Sequence, residues 1–292
     1  MSAPADSELR YTEYWYGRTG LSIAVTGVLM SERSEYQHVQ VLESDALGRI
    51  LTLDGVLMFT AHDEFVYHEM IVHPSLSLLG DPGNVLIVGG GDGGAAREAL
   101  RYQSVPRVDL VEIDGLVVDA AKRYFPEVSS GFTDKRLHLH LTDGADYLAA
   151  TRTTYDLIIV DSTDPVGLAE GLFTQEFYED CFRALSDRGM LVVQSESPFD
   201  PNYREVPRQV KRLFLRLFPI AETYLAFVPS YAFGMWSFTL GSKRLHPVRD
   251  FEPEQAAARS QAFAGQLKYY HADLHRAAFA LPAFVSRAVS EA

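Results

Sequence analysis

The chain has 292 residues, 47% of them hydrophobic and 22% charged, enough to bury a substantial core as one large domain with a small companion. Its formal net charge of −13 and pI near 5.1 argue against nucleic-acid and acidic-membrane partners. A single cysteine, Cys181, excludes an intramolecular disulfide and suits a reducing compartment.

Residues Met1–Arg10 lack a basic segment followed by an apolar one, and no uninterrupted apolar run is long enough to span a bilayer, so a cytoplasmic protein is expected. To about Thr60 the chain is β-rich. Leu21–Met30, His38–Glu43 and Arg49–Phe59 carry β-branched and aliphatic residues, punctuated by Gly27, Gly48 and the turn Asp54-Gly55. Phe65–Leu79 reads as a helix with Phe65, Met70, Ile71 and Leu78 available for packing.

From residue 84 strands and helices alternate. Strands are expected at Asn84–Val88, Arg107–Glu112, Leu137–Leu141, Asp156–Val160 and Met190–Gln194. Helices are expected at Ala95–Tyr102, Leu116–Tyr124, Ala145–Ala150, Thr174–Leu185 and Glu205–Phe218. The strands are apolar on successive residues, as in a parallel sheet covered on both faces. Glu222–Val228 and Met235–Leu240 could add an antiparallel edge. Cys181 lies at helical spacing with Phe177 and Leu185, which suits a buried apolar role. The expected fold is α/β: a doubly wound sheet over residues 63–292, preceded by a small β-rich domain over residues 1–62.

Gly89-Gly90-Gly91-Asp92-Gly93-Gly94 joins the first of these strands to its helix, where glycines permit a tight turn and close approach of a ligand. Glu112 ends the next strand, where a carboxylate can take both hydroxyls of a ribose. Asp143-Gly144 follows the third, and its acid could accept from an adenine amino group. Asp92 would repel a pyrophosphate or a methionine carboxylate and welcome an ammonium. The loop therefore suggests adenosine attached to a cation. Asp161 and Asp164 lie at the mouth of the fourth strand, held in a loop by Pro165 and Gly167 with no basic neighbour in sequence. Two such acids suit a cationic substrate and a base that takes its proton. His138 and His140 share one face of a strand but have no evident further ligands, so no metal site is expected.

These segments, with Val111-Glu112-Ile113-Asp114 and Asp161–Phe173, closely resemble the polyamine aminopropyltransferases of spermidine synthase type. So do Ser34–Gln37, Asp63–Glu69, Gly234–Phe238, Tyr269-Tyr270 and Leu281–Phe284, which extend the resemblance over nearly the whole chain. The resemblance implies transfer of the aminopropyl group of decarboxylated S-adenosylmethionine to a diamine, releasing methylthioadenosine. It also implies a Rossmann-like, methyltransferase-type sheet in the catalytic domain and no permanently bound cofactor, and the family forms homodimers or homotetramers. Putrescine is the expected acceptor; agmatine, cadaverine or a longer polyamine are alternatives. By motif, Gln37, Glu112, Asp143, Gly144 and Leu168 correspond to methylthioadenosine contacts. Tyr67, His68, Asp92, Asp161, Asp164, Gln194 and Tyr231 correspond to residues that hold the aminopropyl group and the amine, with Asp161 as proton acceptor. Ala61-His62, Leu168, Ala232-Phe233 and His271 depart from the usual pattern. Three rivals share parts of this reading. An NAD-dependent dehydrogenase and a methyltransferase both fit Asp92 badly, and a polyamine-binding protein would keep the pocket without turnover.

Overall fold

The computed structural model describes residues 9–15, 17, 19–165 and 167–291. Most of the Met1–Arg10 segment read for a leader, and Val166 of the Asp161–Phe173 motif, lie outside the described residues. β1 (Arg10–Trp15) and β2 (Thr19–Ala24) pair as an antiparallel hairpin. β3 (Gly27–Arg33), β4 (His38–Ser44), β5 (Gly48–Leu53) and β6 (Val56–Thr60) form a four-stranded antiparallel sheet. The β-rich stretch Leu21–Met30, punctuated by Gly27, falls on two strands, β2 and β3. At Val25-Thr26 the chain changes sheets, with Val25 N–H donating to the Leu9 carbonyl and Thr26 N–H to that of Glu43. Asp54 and Gly55, at φ 50° and 86°, make the two-residue turn that matches the twist of a hairpin. One face of this sheet, with Val39, Val41, Leu51 and Phe59, packs on Val117, Ala120 and Phe125.

α1 (Glu64–Leu79) is buried along almost its whole length, although it carries Glu64, His68, Glu69 and His73. Such burial is tolerable because each charge has partners. Glu69 accepts from the backbone N–H groups of Lys268, Tyr269 and Tyr270 at 2.9, 2.9 and 2.7 Å, which ties the C-terminal segment to the helix.

The alternating part runs β7 (Val85–Gly89), α2 (Gly94–Leu100), β8 (Val108–Glu112), α3 (Gly115–Tyr124), β9 (Leu137–Leu141), α4 (Gly144–Ala150) and β10 (Tyr155–Asp161). It continues with α5 (Gln175–Ala184), β11 (Leu185–Gln194), α6 (Val206–Leu217), β12 (Ile220–Phe227) and β13 (Met235–Ser242). The seven strands lie in the order β12-β13-β11-β10-β7-β8-β9, and β13 is antiparallel to both its neighbours, as expected for the late edge. α7 (Pro253–Ser260), α8 (Ala272–Ala278) and α9 (Ala283–Ser290) complete the chain. α1 and α2 cover one sheet face around Met70, Leu76, Ile87 and Leu110. The other face packs Leu148, Tyr178, Cys181 and Phe214 from α4, α5 and α6, so Cys181 is a core residue. Each large side chain so buried contributes about 1.5–3 kcal/mol. From β7 the chain winds through α2 to β8 on one side, while β10 lies on the other. That reversal opens a crevice beyond the carboxyl ends of β7 and β10, where doubly wound sheets bind ligands.

Candidate active site

The crevice is closed at its base by the two strands that define it. Gly89 is in register with Asp161, and Gly90 N–H donates to the Asp161 carbonyl at 2.8 Å. A Cβ on Gly90 would meet Asp161 Oδ2 at 2.7 Å, so the glycine lets the loop and the carboxylate share one small space. Asp161 Oδ1 accepts from the Tyr67 hydroxyl at 2.7 Å. Its Oδ2 is buried and has no hydrogen-bond partner in the protein. Burial, and secondarily the negative charge of Asp92, push the Asp161 carboxyl up to about 6, while His68 and the Tyr67 bond pull it back. Burial, reinforced by the charge of Asp161, raises the Tyr67 hydroxyl well above its usual range, so it stays a donor.

Beside them a line of buried charges crosses from α2 to the crevice. Arg97 pairs with Glu64 at 2.9 Å, Glu64 Oε2 meets His68 Nδ1 at 2.6 Å, and His68 Nε2 lies 3.2 Å from Asp92 Oδ1. Burial alone would depress His68, but the two flanking carboxylates override it and hold the imidazole at about 10. Burial would likewise raise Glu64, yet His68 and Arg97 hold it near 2. His68 is thus a cation between two anions. Asp92 also accepts from Gly94 N–H at 2.7 Å. Ligand atoms of His68, Asp92 and Asp161 lie within 4.8 Å of one another, a spacing a metal could bridge. Both His68 nitrogens are committed to carboxylates, however, and an imidazolium offers no lone pair. The group suits an organic cation better.

Two cavities meet at this point. The first runs along the ends of β7, β8 and β10 and is lined by Gln37, His68, the Gly89–Asp92 loop, Glu112, Asp143, Gly144 and Asp161. Glu112 sits at its floor, accepting from Gly91 N–H at 3.1 Å and from Asp114 N–H at 2.9 Å. Burial raises this carboxyl to about 7 against the pull of those bonds. Asp143 caps α4, with Oδ1 accepting from Ala145 and Asp146 N–H. Gln37, in the β3–β4 turn, donates to Asp114 Oδ2 at 2.9 Å, and Asp114 in turn caps α3. Leu51, Leu53 and Met58 from the N-terminal sheet and Val117 supply apolar wall. A trough of largely apolar wall with a few carboxylates fits a nucleoside.

The second cavity is lined by Asp164, Gln194, Glu196, Asp200, Glu13, Trp15 and Trp236, and shares Tyr67, Ser162, Thr163 and Tyr231 with the first. Burial pushes Asp164 up, with Glu13 and Asp200 adding to the shift and a bond to Glu196 opposing it. Burial and the Asp164 charge raise Glu196 well above its usual range. Crowded acids with raised affinity for protons are also acids with affinity for an ammonium group. Gln194 Nε2 reaches the Ser162 and Thr163 carbonyls at 3.3 and 3.4 Å and Glu196 Oε1 at 3.0 Å, pinning the loop after β10. Tyr231 donates to the Met58 carbonyl at 2.6 Å, and its ring lies 5.9 Å from that of Tyr67.

The structure thus brings Gln37, Tyr67, His68, Asp92, Glu112, Asp143, Gly144, Asp161, Asp164, Gln194 and Tyr231 to one pair of joined cavities. Leu168 falls in the 3-10 turn Gly167–Phe173, and its side chain is outside the described part. His140 pairs with Asp109 at 2.7 Å, away from the crevice. His271 caps α8, accepting from Leu274 N–H, so that departure serves the fold. Sequence reasoning missed Glu13, Trp15, Glu64, Glu196 and Asp200. Glu196 and Asp200 follow the carboxyl end of β11 and were open to the strand-end argument used for Asp161. Glu13 and Trp15 reach the site from a separate hairpin, which carries no local signal.

Two family profiles match the chain: the spermine/spermidine synthase domain over residues 64–252 and the spermidine synthase tetramerisation domain over residues 11–61. A polyamine aminopropyltransferase of Alkaliphilus metalliredigens (strain QYMF) is 47% identical over 283 residues, covering 97% of this chain and 98% of that protein. One from Clostridioides difficile (strain 630) is 44% identical, covering 97% and 99%. Among solved structures, a spermidine synthase in complex with the transition-state analogue AdoDATO superposes with a TM-score of 0.92 at 39% identity, covering 99% of this chain and 97% of that one. A spermidine synthase from Thermotoga maritima gives 0.89 at 38%, covering 99% and 96%.

Proposed function

Since the chain belongs to the spermine/spermidine synthase family and is a polyamine aminopropyltransferase, we propose that it makes spermidine, with putrescine as the acceptor of the aminopropyl group of decarboxylated S-adenosylmethionine. The observation that carries the mechanism is the unpartnered, buried Asp161 Oδ2 beside the meeting point of the two cavities. The first cavity takes the nucleoside: Glu112 accepts from the ribose hydroxyls, Asp143 from the adenine amino group, and Gln37, Gly144 and the Leu168 position complete the contact. Asp92 receives the ammonium of the aminopropyl arm. The acceptor lies in the second cavity, its distal ammonium among Asp164, Glu196 and Asp200, with Gln194 and Tyr231 beside it.

The reaction is a displacement at the carbon next to the sulfonium. The amine nitrogen forms the new C–N bond, the C–S bond breaks, and its electrons return to sulfur as the neutral thioether methylthioadenosine. The proton leaves the amine for Asp161 Oδ2. An amine with a pKa near ~10 is neutral about one time in a thousand at pH 7, which is the deficit a base must make up. At about 6, Asp161 is mostly ionised at pH 7 yet basic enough to accept a proton. Tyr67 holds Oδ1 and leaves Oδ2 aimed at the nucleophile. His68 offsets Asp92, so Asp161 is not forced to share its proton with a second bare carboxylate.

Among the described residues no helix is long and apolar enough to cross a membrane. We place the enzyme in the cytoplasm, as a homodimer or homotetramer, with a small β-rich domain over residues 1–62 ahead of the catalytic domain. The test is mass spectrometry of products from decarboxylated S-adenosylmethionine with putrescine, cadaverine, agmatine and spermidine in competition. Spermidine should dominate. A different dominant product would replace putrescine as the acceptor, and no aminopropylated amine at all would overturn the reading.

A further inference from the structure

Glu64 opens α1 and lies one turn ahead of His68, at the i, i+4 spacing that brings helical side chains together. Both are buried. Arg97 grips Glu64 as a fork, Nη1 donating to Oε1 at 3.1 Å and Nη2 to Oε2 at 2.9 Å. The helix N-terminus adds its own preference for an anion at this position. Glu64 therefore keeps its charge without taking a proton. Its Oε2 lies 2.6 Å from His68 Nδ1, a spacing that needs a hydrogen between the two atoms. With Glu64 ionised, that hydrogen belongs to His68.

The other imidazole nitrogen faces the acids of the crevice. His68 Nε2 is 3.2 Å from Asp92 Oδ1, and the same oxygen accepts from Gly94 N–H at 2.7 Å. An oxygen that accepts twice belongs to an ionised carboxylate. Asp161 completes the group, with Tyr67 donating to Oδ1 and with Oδ2 unpartnered. Around the ring, Tyr67 and Phe59 stand edge-on and Gly94 packs close; burial keeps the Tyr67 hydroxyl protonated, so none of these adds a charge. Two carboxylates as near as Asp92 and Asp161 would draw a proton onto one of them unless a cation stood between. His68 is that cation. Burial works to strip its proton, and Asp92 and Glu64 together hold it. Glu64 does so from behind the imidazole, outside the lining of both cavities.

We infer that Glu64, gripped by Arg97, is a positioning residue for the transfer: it keeps the cluster's proton on His68 and off Asp92 and Asp161, so that both acids are ionised when the amines arrive. Its consequence for rate rests on the aminopropyl-transfer reading, whereas the place of the proton is a property of the free protein.

The test combines the histidine 15N spectrum of the free full chain with single-turnover rates against pH, at saturating decarboxylated S-adenosylmethionine and putrescine, in the parent and in Glu64→Gln. Gln keeps the length and can still hydrogen-bond, and Arg97 retains Glu98 and the Glu127 carbonyl, so a charge is removed without stranding another. In the parent the His68 ring, assigned by its loss in His68→Gln, should stay doubly protonated from about pH 6 to about pH 9. In Glu64→Gln it should be neutral by about pH 8, and the acid limb of the rate profile should move up by about 1–2 pH units, because a carboxyl that loses a neighbouring cation holds its proton to higher pH. By about pH 9 the variant should return to within about twofold of the parent, a recovery that a loosened fold would not give. A parent whose His68 is neutral at about pH 8, an acid limb moved by less than about 0.3 unit, or a loss equal at every pH would overturn the inference, and the parent spectrum decides even where Glu64→Gln fails to fold. A parent with a doubly protonated His68 that aminopropylates no amine would overturn the transfer reading and leave the place of the proton standing.

Discussion

Replacing Asp161 by Asn removes the proposed base while keeping its size and an oxygen to accept from Tyr67 at Oδ1. With its carboxyl at about 6, the parent is about 90% in the basic form at pH 7. The base makes up for an amine that is neutral about one time in a thousand, so its ceiling at pH 7 is about three decades, or about 4 kcal/mol. General-base groups deliver about 10²–10⁴-fold, which brackets that figure. Single-turnover rates at saturating amine should therefore fall at least about 100-fold in Asp161→Asn at pH 7. Between pH 7 and 9 the variant should regain about 10-fold per pH unit, because free amine rises by that factor. The parent should be flat there and lose rate as pH falls through about 6, or lower once the cationic cosubstrate favours the ionised carboxyl. Asp164→Asn should instead raise the KM for the amine and keep the parent's profile. A loss under about 10-fold, or equal losses with flat profiles in both variants, would refute a single base at Asp161.

Methylthioadenosine should bind about 10-fold more tightly at pH 8 than at pH 6, since Glu112 at about 7 must ionise to accept from both ribose hydroxyls; calorimetry should show the slope vanish in Glu112→Gln. Asp92→Asn should cost decarboxylated S-adenosylmethionine about 1.5–3 kcal/mol of affinity and narrow its advantage over S-adenosylmethionine, and an unmoved affinity ratio would assign Asp92 another task. In Gly94→Ala the new Cβ falls on the His68 ring, so denaturant unfolding should report a loss of about 1–3 kcal/mol, with weaker cosubstrate binding from the displaced His68–Asp92 pair.

The doubly wound sheet is legible in sequence because its central strands are apolar on successive residues. The end proposed for the nucleoside is equally plain, since Gly89–Gly94, Glu112 and Asp143 stand at successive strand ends in chain order. What resists reading comes from elements that gain meaning only by meeting others. β1 has no buried stripe of its own, and its Trp15 and Glu13 matter only because the hairpin folds over the second cavity. α1 shows little amphipathic contrast because it is buried on nearly every side, so Glu64 looks like a surface acid until His68 and Arg97 are seen against it. β11 starts at Leu185, before the expected Met190, because Leu185 pairs with Tyr155 ahead of a register shift in β10. Short helices α7, α8 and α9 carry too few turns for periodicity to mark them.

The central claim is a group transfer in which a thioether and a longer amine appear together. Mass-spectrometric quantification of one reaction, with decarboxylated S-adenosylmethionine and putrescine as the only substrates, tests it most directly. Spermidine and methylthioadenosine should form in a 1:1 ratio, on the order of unity throughout the time course, with no methylated amine when S-adenosylmethionine is supplied instead. Methylthioadenosine released without spermidine, or a methylated amine from S-adenosylmethionine, would contradict the account.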